Sequence, residues 1–147
     1  MDPHSIARIV CPDIDGALAE NVIEWIKHLL SHPDQKPATG LLIVGNPEVS
    51  TFIEAIGQHI APENILHSFA PRADLSGPRM QNAKLVIIHE PNLADMNIIK
   101  RTISQDSFTL IQLFQHPIEW LLNHHIIVIC ATKPEADLHE FIVVETY

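Results

Sequence analysis

The sequence predicts an α/β domain, three layers deep, built on a mostly parallel sheet. Three observations carry this. Short, nearly continuous apolar runs stand at 40–44, 84–89 and 125–131, as strands covered on both faces require. Stretches of helical periodicity lie between such runs, and a β-α-β alternation closes most simply into a parallel sheet. The 147 residues are 46% hydrophobic and 18% charged, enough for one buried core and too apolar for a disordered chain.

Residues 1–15 read as a lead-in segment broken by Pro3 and Pro12, and 16–147 as a single domain. From Gly16 to Ser31, Leu18, Val22, Trp25, Ile26 and Leu29 recur at helical spacing, with Asp15 as N-cap and His32-Pro33 as the stop. Gly40 to Val44 is a strand that runs into the loop Gly45-Asn46-Pro47. Thr51 to Ile60 reads as a helix, with Thr51 and Glu54 spaced as a capping box. Asn64 to Phe69 is a short strand, Pro71 to Pro78 a loop and Lys84 to His89 a buried strand. Asn92 to Ser104 is a helix with Ile98, Ile99 and Ile103 facing the core. Phe108 to Phe114 reads as a strand or hairpin arm, His125 to Ala131 as a buried strand and Phe141 to Val144 as the last strand.

Charge narrows the function. The formal charge is -9, from 18 acidic and 9 basic residues, the wrong sign for a chain whose main task is to hold phosphate backbones. Nucleic acid is therefore not an expected partner. No apolar run is long enough to span a bilayer, so no membrane role is expected. Cys11 and Cys130 read as two reduced thiols, which fits an intracellular setting, nucleus and cytoplasm alike. The ten histidines lack a metal motif: His28 and His32 share a helix face and His124 and His125 are adjacent, but HExxH and CxxC are absent, and no metal site is expected. Asp13 and Asp15 read as helix caps, and Trp25 and Trp120 as packing residues, since no basic residues interleave with them.

Three segments stand in an informative order. The strand at 40–44 leads into Gly45-Asn46-Pro47-Glu48-Val49-Ser50-Thr51-Phe52. Next comes Lys84-Leu85-Val86-Ile87-Ile88-His89-Glu90-Pro91-Asn92, and last His125-Ile126-Ile127-Val128-Ile129-Cys130-Ala131-Thr132-Lys133. Together these resemble the phosphate loop (near GPPNTGKS), the acidic second motif and the sensor strand of viral superfamily 3 DNA helicases. The ending His-Glu-Pro-Asn is most similar to parvovirus and densovirus replication proteins. The resemblance covers roughly 16–147 and implies a P-loop NTPase-like fold of the AAA+ type.

The resemblance also shows what is missing. A phosphate loop needs backbone N–H groups around the phosphates, a lysine reaching them and a hydroxyl on magnesium. Aligned on Gly45, the family's second glycine becomes Ser50, its lysine Thr51 and its magnesium hydroxyl Phe52. No Lys or Arg lies between Lys36 and Arg72. One lost charge-assisted hydrogen bond costs about 1.5–3 kcal/mol, roughly tenfold to a hundredfold in affinity. In the second motif Glu90 keeps the carboxylate that orients water, or caps the following helix, while His89 replaces the magnesium acid. Lys133 stands in for the sensor asparagine, or is a solvated strand-end lysine. The family's arginine before the last strand is absent from Asp137-Leu138-His139-Glu140, and 102–132 holds no Lys or Arg for a DNA-tracking hairpin.

The expected function is a degenerate helicase-like domain, a pseudoenzyme without ATP hydrolysis or unwinding, acting as a protein-binding or assembly module. Its vestigial site would be Glu90 with the phosphate-loop residues Gly45, Asn46, Pro47, Ser50 and Thr51, and Lys133 at the sensor position. The expected partner is another protein or a second copy, and no cofactor is expected. A first alternative is a weak ATPase that binds Mg-ATP through Thr51, Glu90 and Lys133 in altered roles; a second is a structural α/β protein with no nucleotide site.

Overall fold

A computed structural model describes residues 1–11, 16–110, 116 and 118–145 of the chain. It opens with α1 (Pro3–Val10) and α2 (Ala17–Ser31). These are followed by β1 (Gly40–Val44), α3 (Val49–Gly57), β2 (Ile65–Ser68) and α4 (Pro71–Asp74). Then come β3 (Leu85–His89), α5 (Leu93–Ser104), β4 (Ser107–Leu110), β5 (Ile118–Leu121), β6 (His125–Cys130) and β7 (Phe141–Glu145). Asp13, Asp15 and Phe114 lie outside the described residues, as does the side chain of Trp120.

The main sheet has five strands in the order β2-β3-β6-β1-β7, and every pairing in it is parallel. Period-two alternation explains the continuous apolar runs. Leu41, Ile43, Leu85, Ile87 and Ile127 face one core, built with α1, α2 and α3. Leu42, Val44, Val86, Ile88, Ile126 and Val128 face a second core, closed by α5 and the segment 75–83. Both halves of each run are thus buried, and the sheet is the middle of three layers, a P-loop NTPase-like arrangement. In a separate antiparallel pair, β4 coincides with the start of the predicted arm at Phe108, while its partner β5 was not predicted.

The lead-in segment departs from expectation. Its described residues form α1, because Pro3 occupies the first helical position, where no N–H is needed, and Asp2 accepts from Ser5 N at 2.7 Å. Ile6, Ala7 and Val10 are buried in the first core. Leu18 is 44% exposed, and Ala19 and Ile23 fill the apolar face instead. The Thr51/Glu54 capping box does not form: α3 begins two residues earlier, with Glu48 as an N-cap that makes no side-chain bond. The loop at 71–78 contains α4, started by Pro71.

Helix α5 begins as expected, and the reason is local. Asn92 accepts from Asp95 N at 2.8 Å while Asp95 accepts from Asn92 N at 3.1 Å, a reciprocal capping box. Asn92→Ala is expected to lower stability by about 1 kcal/mol, read as a shifted urea midpoint at unchanged m-value.

Candidate functional site

At the carboxyl ends of β1 and β6 lies a cavity of about 540 Å³. Open parallel sheets bind ligands at such ends, and the volume falls in the small-ligand range. Three segments meet there: Ile43, Gly45, Asn46, Pro47 and Val49 from β1 and its loop, Glu90 after β3, and Ile129, Cys130 and Ala131 from β6. They meet because β1 and β3 both pair with β6. The three segments singled out in the sequence are therefore neighbours in space.

The loop after β1 is held rather than open. Gly45 has φ 61, a left-handed conformation that glycine adopts without cost, and its N–H donates to Cys130 O at 2.9 Å. Asn46 Oδ1 accepts from Glu48 N at 2.8 Å, and Asn46 Nδ2 donates to Val10 O at 3.1 Å. One side chain thus fixes the turn and ties it to the end of α1. Two backbone positions of this loop offer no free donor to a ligand: the N–H of Glu48 is taken by Asn46, and Pro47 has none.

Glu90 is the one charged side chain in the cavity lining. Its φ of 49 makes it the non-glycine residue with a left-handed backbone among those described, a strain of roughly 1–2 kcal/mol that its N–H offsets by donating to Ile129 O at 2.9 Å. Glu90 does not cap α5, since Asn92 does. Beside it, burial and then the Glu90 carboxylate push the Cys130 thiol up to about 11, so this cysteine stays protonated and is no nucleophile at neutral pH. His89 is half-buried, and burial followed by the neighbouring His67 holds its pKa below the usual histidine value, against the pull of Glu90.

The other candidate residues stand apart. Ser50 and Thr51 are exposed on α3, outside the cavity lining. Phe52, aligned with the magnesium hydroxyl, is fully buried in the first core. Lys133 pairs through Nζ with Glu145 Oε1 at 2.8 Å, on the side of β7. In the segment before β7, His139 lies 2.9 Å from Asp137 and 3.2 Å from Glu140. The anchoring role of Asn46 and the lining by Cys130 and Ala131 were not read from the sequence. The Asn-Pro turn was a signal for the first, but its partner lies in the unforeseen α1.

Cys11 and Cys130 are both free and buried. Among the described residues no group of three or more His, Cys, Asp or Glu is placed to hold a metal ion, and no helix is long and apolar enough to cross a membrane. Trp25 packs as expected: it is 4% exposed and its Nε1–H donates to Thr39 O at 2.8 Å.

No known family's sequence profile matches the chain, and neither does any curated protein. Solved structures do. The A-form apo structure of the NrS-1 C-terminal region superposes with a TM-score of 0.70 at 15% identity, over 97% of this chain and 37% of that one. Another apo structure of that region gives 0.73 at 12% identity, over 97% and 37%. A further A-form apo structure gives 0.72 at 15%, over 97% and 36%. This chain thus spans little more than a third of the length of the chains it matches. At such identity the likeness establishes a shared fold, and this chain has the three-layer α/β fold of the NrS-1 C-terminal region over nearly its whole length.

Proposed function

We propose that this chain is a degenerate helicase-like domain of the superfamily 3 type, a viral replication-protein relative that has lost ATP hydrolysis and DNA unwinding and serves as a protein-binding or assembly module. One observation carries the reading: among the described residues, the cavity where a triphosphate would sit is lined by a single charge, and that charge is the carboxylate of Glu90. Phosphate sites work by converging positive charge and N–H donors on an anion. Here the lysine position is the exposed Thr51, the magnesium-hydroxyl position is the buried Phe52, and Lys133 is paired with Glu145. The order of the three segments on adjacent strands supports the helicase ancestry, and the shared fold with the NrS-1 region agrees with it.

A second reading, weak nucleotide binding, has one observation in its favour. The first turn of α3 opens beside the cavity through Val49, and its N-cap makes no side-chain bond.

Calorimetric titration with Mg-ATP to millimolar concentration separates the readings, run on the unaltered chain and on Thr51→Lys. Thr51 is exposed, so the added lysine disturbs no packing. The expected result is no saturable heat from the unaltered chain and detectable binding by Thr51→Lys. Saturable binding by the unaltered chain would overturn the inactive reading in favour of the second. Silence from both would favour a structural α/β protein without a nucleotide site.

A further inference from the structure

We propose that His67 and His89 form a two-histidine site for a zinc-class transition-metal ion at the carboxyl end of the sheet. The geometry is set by the pairing of β2 with β3. His67 lies opposite Ile87, so His89 is two residues further along the neighbouring strand and on the same face. Their rings stack at 5.5 Å between centroids, and His67 Nδ1 and His89 Nε2 share a hydrogen bond of 3.2 Å, whose proton a bridging ion would replace. An ion about 2.0–2.1 Å from each nitrogen would subtend roughly 100° between them, close to the tetrahedral angle. The exposed ring of Phe69 stacks on His89 at 4.5 Å and 9°, which holds the imidazole plane in place. His67 is exposed and His89 half-buried, so water can fill the remaining coordination positions.

The other histidine contacts do not offer this. His28 Nδ1 is 2.7 Å from His125 Nε2, but His125 is fully buried with the Trp25 ring packed edge-on at 5.4 Å, away from the water that would complete a metal's coordination. His28 and His32 share a helix face with rings 5.6 Å apart, but His28 Nδ1 points to the buried His125 and away from an ion shared with His32. Imidazole pairs select zinc, nickel or copper over magnesium, which demands oxygen ligands. The inference does not rest on nucleotide binding, for or against.

The test is calorimetric titration of the full chain, free of any polyhistidine tag, with Zn²⁺ at neutral pH and with Mg²⁺ as the contrast. The expected result is one Zn²⁺ per chain and no heat from Mg²⁺. His67→Gln and His89→Gln are each expected to weaken zinc binding by about tenfold or more, since even partners outside the coordination sphere are worth that much. His32→Gln should bind as the unaltered chain does. Absence of saturable zinc binding would overturn the proposal, as would full-strength binding by His67→Gln or loss of binding in His32→Gln. Because His67 is exposed, its variant keeps the core intact and decides the matter even where His89→Gln folds poorly.

Discussion

Phe52→Ser is expected to cost about 3–5 kcal/mol of folding stability, the range for truncating a buried aromatic side chain, with a further penalty for the hydroxyl it buries. Phe52 is fully buried among the residues that join α1, α2 and α3 to the sheet. Domains of this size are stable by only about 5–15 kcal/mol, so the loss is a large share of the total. Urea unfolding followed by circular dichroism measures it. A loss below about 1 kcal/mol would show that the ring is not the packing element described.

This expectation bears on the proposed helicase ancestry. Aligned with the helicase phosphate loop, position 52 belongs to the magnesium ligand. A hydroxyl there must point out of the core toward the nucleotide, whereas the Phe52 ring points into it. Restoring the hydroxyl alone would leave a cavity without restoring chemistry. The exposed Thr51 is the position where charge can return at little structural cost. On the proposed helicase ancestry the two positions therefore differ in kind: the residue at 52 is part of the core, and the residue at 51 lacks only a charge.

The sheet was legible in the sequence because its signal is short-range. Runs such as Leu85-Val86-Ile87-Ile88 send alternate residues to two cores, and each run reads as a strand on its own. The start of α5 at Asn92 was read from its helical pattern, whereas the Asn92/Asp95 capping box that fixes it, and displaces Glu90 from that role, was not. What else failed was set by tertiary contact. Helix α1 was hidden by Pro3, which breaks a helix everywhere except at its first turn. Leu18 fitted the apolar spacing but faces solvent, because α1 covers a stripe of α2 shifted onto Ala19 and Ile23. The site was legible only in part. Gly45, Asn46, Pro47 and Glu90 converge because β1 and β3 flank β6, an arrangement the motif order implied. The separation of Lys133 from the cavity depends on Glu145, on a strand whose pairing no local pattern discloses.

Acidification is expected to destabilise the fold steeply below about pH 6.5, with His125 the main cause. This residue is fully buried, and burial first, then the nearby His28 and His124, hold its pKa down from the ordinary 6.5 to about 3. Burial also lowers the pKa of His124, whose Nε2 lies 2.6 Å from Met80 O, and that of His28, where His32 adds to the effect. Among the described residues the groups recorded against the His125 ring are His28, His124 and the edge of Trp25, none of them anionic. Between pH 6.5 and 3 the unfolded chain takes up a proton on this histidine that the folded chain refuses. Stability is therefore complete above 6.5 and falls with pH by about 1.4 kcal/mol per unit for this one proton. Two units of acidification remove roughly 3 kcal/mol, before the contributions of His124 and His28, which carry the same sign. Urea unfolding at pH 7, 6 and 5 gives the slope for the unaltered chain. His125→Phe keeps an aromatic ring against Trp25, removes the titrating group and is expected to flatten that slope by close to one proton. An unchanged slope in His125→Phe would move the acid sensitivity to His124 and His28. A flat profile in the unaltered chain would overturn the expectation, since His125 would then take up its proton in the folded state as readily as in the unfolded one.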